Sequence, residues 1–199
     1  MLWSLVEVTI VFSQLGVRAL GLWFMSKMVI EAALKVPHAI TSVYAPRITE
    51  CYGRTESVKE CMKLSQKPLL FGTLSMIGMA ACSCIVLTII VPIIMPKYVA
   101  AISTMCLMTL VFPLTVLEIP QNLLISMGER TQQNIVAYAG LGCFSLMALG
   151  TVKLGLGING IAVASLLGHV ISRVIAGSFL YSSYRRQVAV TGCAGDTKS

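Results

Sequence analysis

Residues 20–47, LGLWFMSKMVIEAALKVPHAITSVYAPR, constrain this chain most, because a stretch apolar enough and long enough to cross a bilayer carries Lys27, Glu31 and Lys35 inside it. Charges spaced four residues apart share one face of a helix. Each charge near the bilayer centre opposes insertion by roughly 3 kcal/mol, whereas each large apolar residue favours it by only about 0.5 kcal/mol. The three charges together oppose insertion by about 9 kcal/mol, and the surrounding apolar side chains offset about 6 kcal/mol of that. Such a helix does not face lipid alone. Its charged stripe requires a protein interior or a watery cavity, whose other walls come from the rest of the chain.

Composition shows what those walls are made of. Hydrophobic residues make up 56% of the 199 residues and charged residues 12%, against roughly 25% charged residues in soluble domains. The chain reads as an all-α polytopic membrane bundle of about six spans, with little length left for a soluble domain. The formal charge of +7 does not mark a nucleic-acid surface, because most basic residues flank apolar segments, where positive charge sets orientation. Membrane lipids are the expected surroundings, and no nucleic-acid partner is expected. The seven cysteines form no CxxC or Cys/His cluster, and Cys82, Cys84, Cys106 and Cys143 fall inside apolar stretches. They read as small hydrophobes, so no metal and no cofactor is expected. The start, MLWSLVEVTIVF, has no basic region or small-residue cleavage site and is interrupted by Glu7, which argues against a signal peptide.

Residues 2–15 are apolar but short for a span of about 20 residues, so the first helix is short or lies partly in the interface. The second span covers about 19–44, with Pro37 kinking it and Pro46 closing it. Residues 47–67 hold five basic and three acidic residues, which suits an amphipathic helix in a cytoplasmic loop after Gly53. A third span, 68–95, opens on Pro68 and ends at the Pro92 and Pro96 pair. The fourth, 99–127, contains Pro113, Glu118 and Pro120, which predict a bend or local unwinding in its second half. The fifth, 132–152, carries Gly140 and Gly142 for close helix approach. The sixth, 157–184, places Gly160, Ala164 and Gly168 four apart as a smooth face. The bundle thus covers residues 1–185, and the polar tail, 186–199, is expected to be disordered.

Orientation follows from the basic residues outside the spans. Arg47, Arg54, Lys59, Lys63, Lys67, Arg130, Arg185, Arg186 and Lys198 fall on one side, while Arg18, Lys97 and Lys153 fall on the other. This nine-to-three division places the long loop and both termini in the cytoplasm of a multi-pass cell-membrane protein.

The run LGLWFMSKMVIEAALKVPHAITSVYAPRITECYG resembles a recurring pattern of polysaccharide and O-antigen flippases. In that pattern an LG-aromatic start leads to a proline, an aromatic-x-P-R/K segment and a YG. The later LGINGIAVASLLGHVISRVIAG is similar to the opening of the last helix in the same group, part of the multidrug/oligosaccharidyl-lipid/polysaccharide exporter superfamily. The resemblance covers about residues 5–185. It implies two six-helix halves, of which this chain looks like the C-terminal one, needing a second six-helix half as partner. It also implies a cargo of glycan linked to a polyprenyl (pyro)phosphate, moved by alternating access. Glu7 stands where an acidic residue near the start of such a half is expected, a possible coupling-ion site.

Each charged candidate has two readings. Lys27, Glu31 and Lys35 form either a cavity wall that attracts an anionic headgroup or an internal ion-pair ladder. His169 and Arg173, again four apart, either handle a proton and clamp a phosphate or bond to backbone carbonyls freed by kinks. Glu118, two residues before Pro120, is either a coupling-ion site on unwound backbone or a surface partner of Arg130 or Lys97. No enzyme activity is expected. Glu50, Glu56 and Glu60 interleave with bases as a solvated face, and no glycine-rich phosphate loop occurs. Rival functions are a multidrug or cation antiporter of the same superfamily and a non-transporting membrane module that assembles a glycan-synthesis complex.

Overall fold

The computed structural model describes residues 2–195, and every regular element among them is helical. In order these are α1 (Leu2–Thr55), α2 (Val58–Ile94), a 3-10 turn (Pro96–Ala101), α3 (Ile102–Thr109), α4 (Phe112–Val116), α5 (Glu118–Ser126), α6 (Arg130–Lys153) and α7 (Gly157–Gly195). The all-α architecture expected from composition is what the chain adopts.

Helix α1 is not one rod. Glu7 and Lys27 stand 20 residues apart, about 30 Å in a straight helix, yet they form an ion pair. Lys27 Nζ also donates to Ser4 Oγ at 3.4 Å. The chain therefore doubles back at Gly16, whose φ of 80° and ψ of −178° fall in a region essentially reserved for glycine. A short arm, residues 2–15, lies along a long arm, residues 17–55. The short arm reaches only about 20 Å, less than the roughly 30 Å hydrocarbon core.

Among the described residues, five helical stretches are long and apolar enough to cross a membrane: Trp3–Val36, Val58–Ile94, Pro96–Val116, Arg130–Lys153 and Gly157–Gln187. The chain is thus built as a multi-pass membrane protein. The sequence reading of about six counts as two spans the segments that meet at Gly16 in the first of these. The outer face of α2 exposes Leu70, Phe71, Leu74, Ile77, Ile85 and Ile89, an apolar surface of the kind that faces lipid.

Several boundaries differ from the sequence reading. The long arm runs through Pro37 and Pro46 to Thr55, and α2 already begins at Val58. Residues 47–67 are therefore two helix ends meeting at Glu56 and Ser57 rather than a loop. Charges at helical spacing favour this, as in the exposed Glu50–Arg54 pair. Glu56 makes the turn at φ 47°. Pro68 consequently sits inside α2 instead of opening it. Helix α7 continues to Gly195, so residues 186–195, read as a disordered tail, are helical. Residues 196–199 lie outside the described residues.

The fourth span breaks at both prolines as expected, although its membrane-length stretch is Pro96–Val116 rather than 99–127. A proline cannot donate to the carbonyl four residues before it. Pro113 and Pro120 leave Thr109 and Val116 without that bond, and α3 and α4 end at those two residues. The joints at Leu110 and Leu117 keep right-handed dihedrals, so the segment bends through 3-10 turns rather than unwinding fully.

Helices α6 and α7 meet through their glycines. A Cβ on Gly168 would stand 2.9 Å from Phe144 Cβ and 3.1 Å from the Gly140 carbonyl, and one on Gly140 would stand 1.9 Å from Ser172 Oγ. Gly142, by contrast, has open space around it. Gly168→Ala should therefore destabilise the fold by about 1–3 kcal/mol through overpacking, while Gly142→Ala is neutral or slightly stabilising. Thermal unfolding in lipid nanodiscs checks the contrast, and equal effects at both positions would show that α6 and α7 do not approach this closely.

Candidate functional site

The fold-back at Gly16 builds one end of an internal cleft. It lays Trp3 and Glu7, one helical turn apart on the short arm, against Lys27 on the long arm. Glu7 is almost fully buried. Its Oε2 pairs with Lys27 Nζ, and its Oε1 accepts from Trp3 Nε1 at 2.9 Å and from Ser165 Oγ of α7 at 3.1 Å. Both carboxylate oxygens are thus satisfied, as a buried charge requires. These groups line a cavity of about 290 Å³ together with Glu31, Met108 and His169.

A second lobe opens where α5 begins. The break at Leu117 makes Glu118 the first residue of α5, and its carboxylate accepts from Arg173 Nη2 of α7. Asn122, Gln133 and Ser172 join this pair around a cavity of about 320 Å³. Trp3 and His169 line both lobes. Their rings stack at 4.7 Å and 24°, and Trp3 also stacks on Phe144 at 5.5 Å. The stacked pair divides one polar cleft into two lobes, each holding one cation and one carboxylate in contact.

The residues singled out in the sequence are brought together only in part. Lys27, Arg173, His169, Glu118 and Glu7 all reach the cleft, and Arg173 points inward as its depth requires. Glu31 reaches its edge but is exposed. Lys35 does not join them and borders a separate hollow with Val36, Ala39, Val43 and Tyr44. Among the described residues no ion pair links Lys27, Glu31 and Lys35, so the i,i+4 ladder does not form. Glu118 pairs with Arg173 rather than with Arg130 or Lys97.

Sequence reasoning passed over Trp3, Asn122, Gln133, Ser165 and Ser172. The i,i+4 spacing of Trp3 and Glu7 is the signal that was present for one of them. Among the described residues no group of three or more His, Cys, Asp or Glu side chains is placed to hold a metal. Chemically, the cleft offers two cations whose carboxylates an anion can displace, flanked by amide and hydroxyl groups suited to polar ligands. No family model, curated protein or solved structure matches this chain.

Proposed function

We propose that this chain is half of a membrane transporter that flips a lipid-linked oligosaccharide or polysaccharide precursor across the cell membrane by alternating access, with both termini cytoplasmic. The observation that carries the reading is the cleft itself: two ion pairs, Lys27 with the buried Glu7 and the half-buried Arg173–Glu118 pair, line adjoining lobes of one polar cleft inside a bundle whose outer face is apolar. Intramembrane ionisable groups of this kind mark pathways for polar cargo. The sequence resemblance to polysaccharide flippases supports the choice of cargo. In this reading a (pyro)phosphate competes with Glu7 for Lys27 and with Glu118 for Arg173. The hydroxyl and amide groups take up the sugar, and the polyprenyl tail stays in the bilayer. His169 and the two carboxylates released by the phosphate are the groups positioned to exchange a proton or coupling ion, and a second half completes the cavity.

The test removes each pair as a unit, so that no unpaired charge is left to unfold the protein. In vesicles carrying the transporter, Lys27→Gln with Glu7→Gln, and Arg173→Gln with Glu118→Gln, should each lower flipping of a polyprenyl-pyrophosphate glycan at least about tenfold per molecule. Lys63→Gln, on the exposed part of α2, should leave it unchanged. Full flipping in both double variants would remove the headgroup role, and wild-type vesicles that flip no more glycan than protein-free vesicles would favour a non-transporting assembly module. A cation antiporter is the second reading, favoured by the carboxylates Glu7, Glu31 and Glu118 that line the two lobes beside only two cations. It is chosen instead if the same double variants abolish export of a lipophilic cation and not of the glycan.

A further inference from the structure

The long arm of α1 carries a charged face that this chain leaves uncovered. Glu31, Ala32, Lys35, Val36 and Ala39 are exposed and adjoin one another on one side of the helix. Glu31 lies inside the Trp3–Val36 span, where a charge left in lipid is strongly disfavoured. A glutamate four residues before a lysine is well placed to pair with it. Among the described residues, however, neither Glu31 nor Lys35 makes an ion pair or side-chain hydrogen bond. Two hollows touch this face. The first cleft lobe ends at Glu31, and a hollow of about 580 Å³ lies beside Lys35 and Tyr44. The alanines let another helix approach closely here.

Whatever covers this face must bring a cation to Glu31 and an anion to Lys35, one helical turn apart. The chain itself presents that arrangement. We propose that this face is an interface with a second copy of the chain, in which Glu31 of each copy pairs with the partner's Lys35. Two copies inserted with the same orientation are related by a two-fold axis along the membrane normal, so their long arms cross as parallel helices. The crossing falls between residues 31 and 35, and both pairs form at once, as an isologous contact requires. The second copy also closes the open edge of the first cleft lobe.

Charge exchange tests it. Differently tagged copies are co-reconstituted in nanodiscs, and dimer formation is measured by co-purification and by subunit counting. Glu31→Lys alone and Lys35→Glu alone should each weaken self-association at least about tenfold, because like charges then meet across the axis. The two singly exchanged chains mixed together should associate about as well as wild type, and so should the doubly exchanged chain. Glu31→Gln with Lys35→Gln leaves no unpaired charge to disturb folding and should also weaken the dimer about tenfold. Helical circular dichroism and membrane abundance are recorded for every variant. A monomeric wild type, dimers that survive both single exchanges, or well-folded exchanged chains that do not associate on mixing would each overturn the proposal. The last outcome would assign the face to a different protein.

Discussion

Replacing Glu7 with alanine is expected to lower the stability of this protein by about 3–5 kcal/mol, because it strands the Lys27 ammonium inside the bundle without a counter-charge. The same substitution removes the acceptor of Trp3 Nε1 and of Ser165 Oγ, so three elements lose their common partner at once: the short arm, the long arm and α7. The attraction between buried charges barely exceeds the cost of dehydrating them, so removing both costs far less than removing one. Glu7→Gln combined with Lys27→Met should therefore recover most of the loss. The coupling energy from the full double-mutant cycle should reach at least about 2 kcal/mol. Thermal unfolding in nanodiscs, read beside membrane abundance, decides this. A Glu7→Ala variant within about 1 kcal/mol of wild type would mean that Glu7 does not hold the cleft together.

Gly16→Val is expected to be the next most damaging change, for a reason of backbone shape rather than charge. At φ 80° and ψ −178° a β-branched side chain collides with its own backbone, at a cost of order 1–3 kcal/mol for the residue itself. The chain relieves the collision by adopting helical dihedrals, and this straightens α1. Straightening carries Glu7 away from Lys27 and Trp3 away from His169, so the loss should exceed the local strain and approach that of Glu7→Ala. Spin labels at positions 5 and 28 of a cysteine-free background are close in the folded-back form and separate toward roughly 35 Å in a straight helix. Gly21→Ala provides the control. That glycine is helical with no atom near its Cβ position, and the substitution should be neutral or slightly stabilising. If Gly16→Val and Gly21→Ala behave alike, α1 does not turn at residue 16.

How much was legible in the sequence depended on whether the relevant interaction was local. Helicity and membrane-spanning length come from hydropathy over some twenty neighbouring residues, and the structure keeps both. The breaks after Thr109 and Val116 follow from the missing N–H of one residue four places on. Pro37, Pro46 and Pro68 show the limit of that rule, since a helix tolerates the loss of a bond when its neighbours hold it. The ion pairs were not legible. Lys27 has Glu31 one turn away, and the sequence suggests that partner, yet the fold supplies Glu7 across a reversal set by a single glycine. Glu118 and Arg173 lie 55 residues apart, and only the way α5 meets α7 brings them together. The inward direction of these charges could be derived from solvation energy, whereas their partners could not.

Helix α7 carries one more contact whose effect reaches beyond its own site. Gln187 accepts from the Val58 N–H through Oε1 at 2.9 Å and donates to the Glu56 carbonyl through Nε2 at 2.9 Å, which fastens α7 to the elbow between α1 and α2. Arg173 sits about 21 Å back along the same continuous helix, gripping Glu118. Both contacts sit on one continuous helix, so an axial slip of one residue, about 1.5 Å, displaces both by the same amount. The elbow at one end of the bundle and the half-buried ion pair further along are therefore tied mechanically through α7.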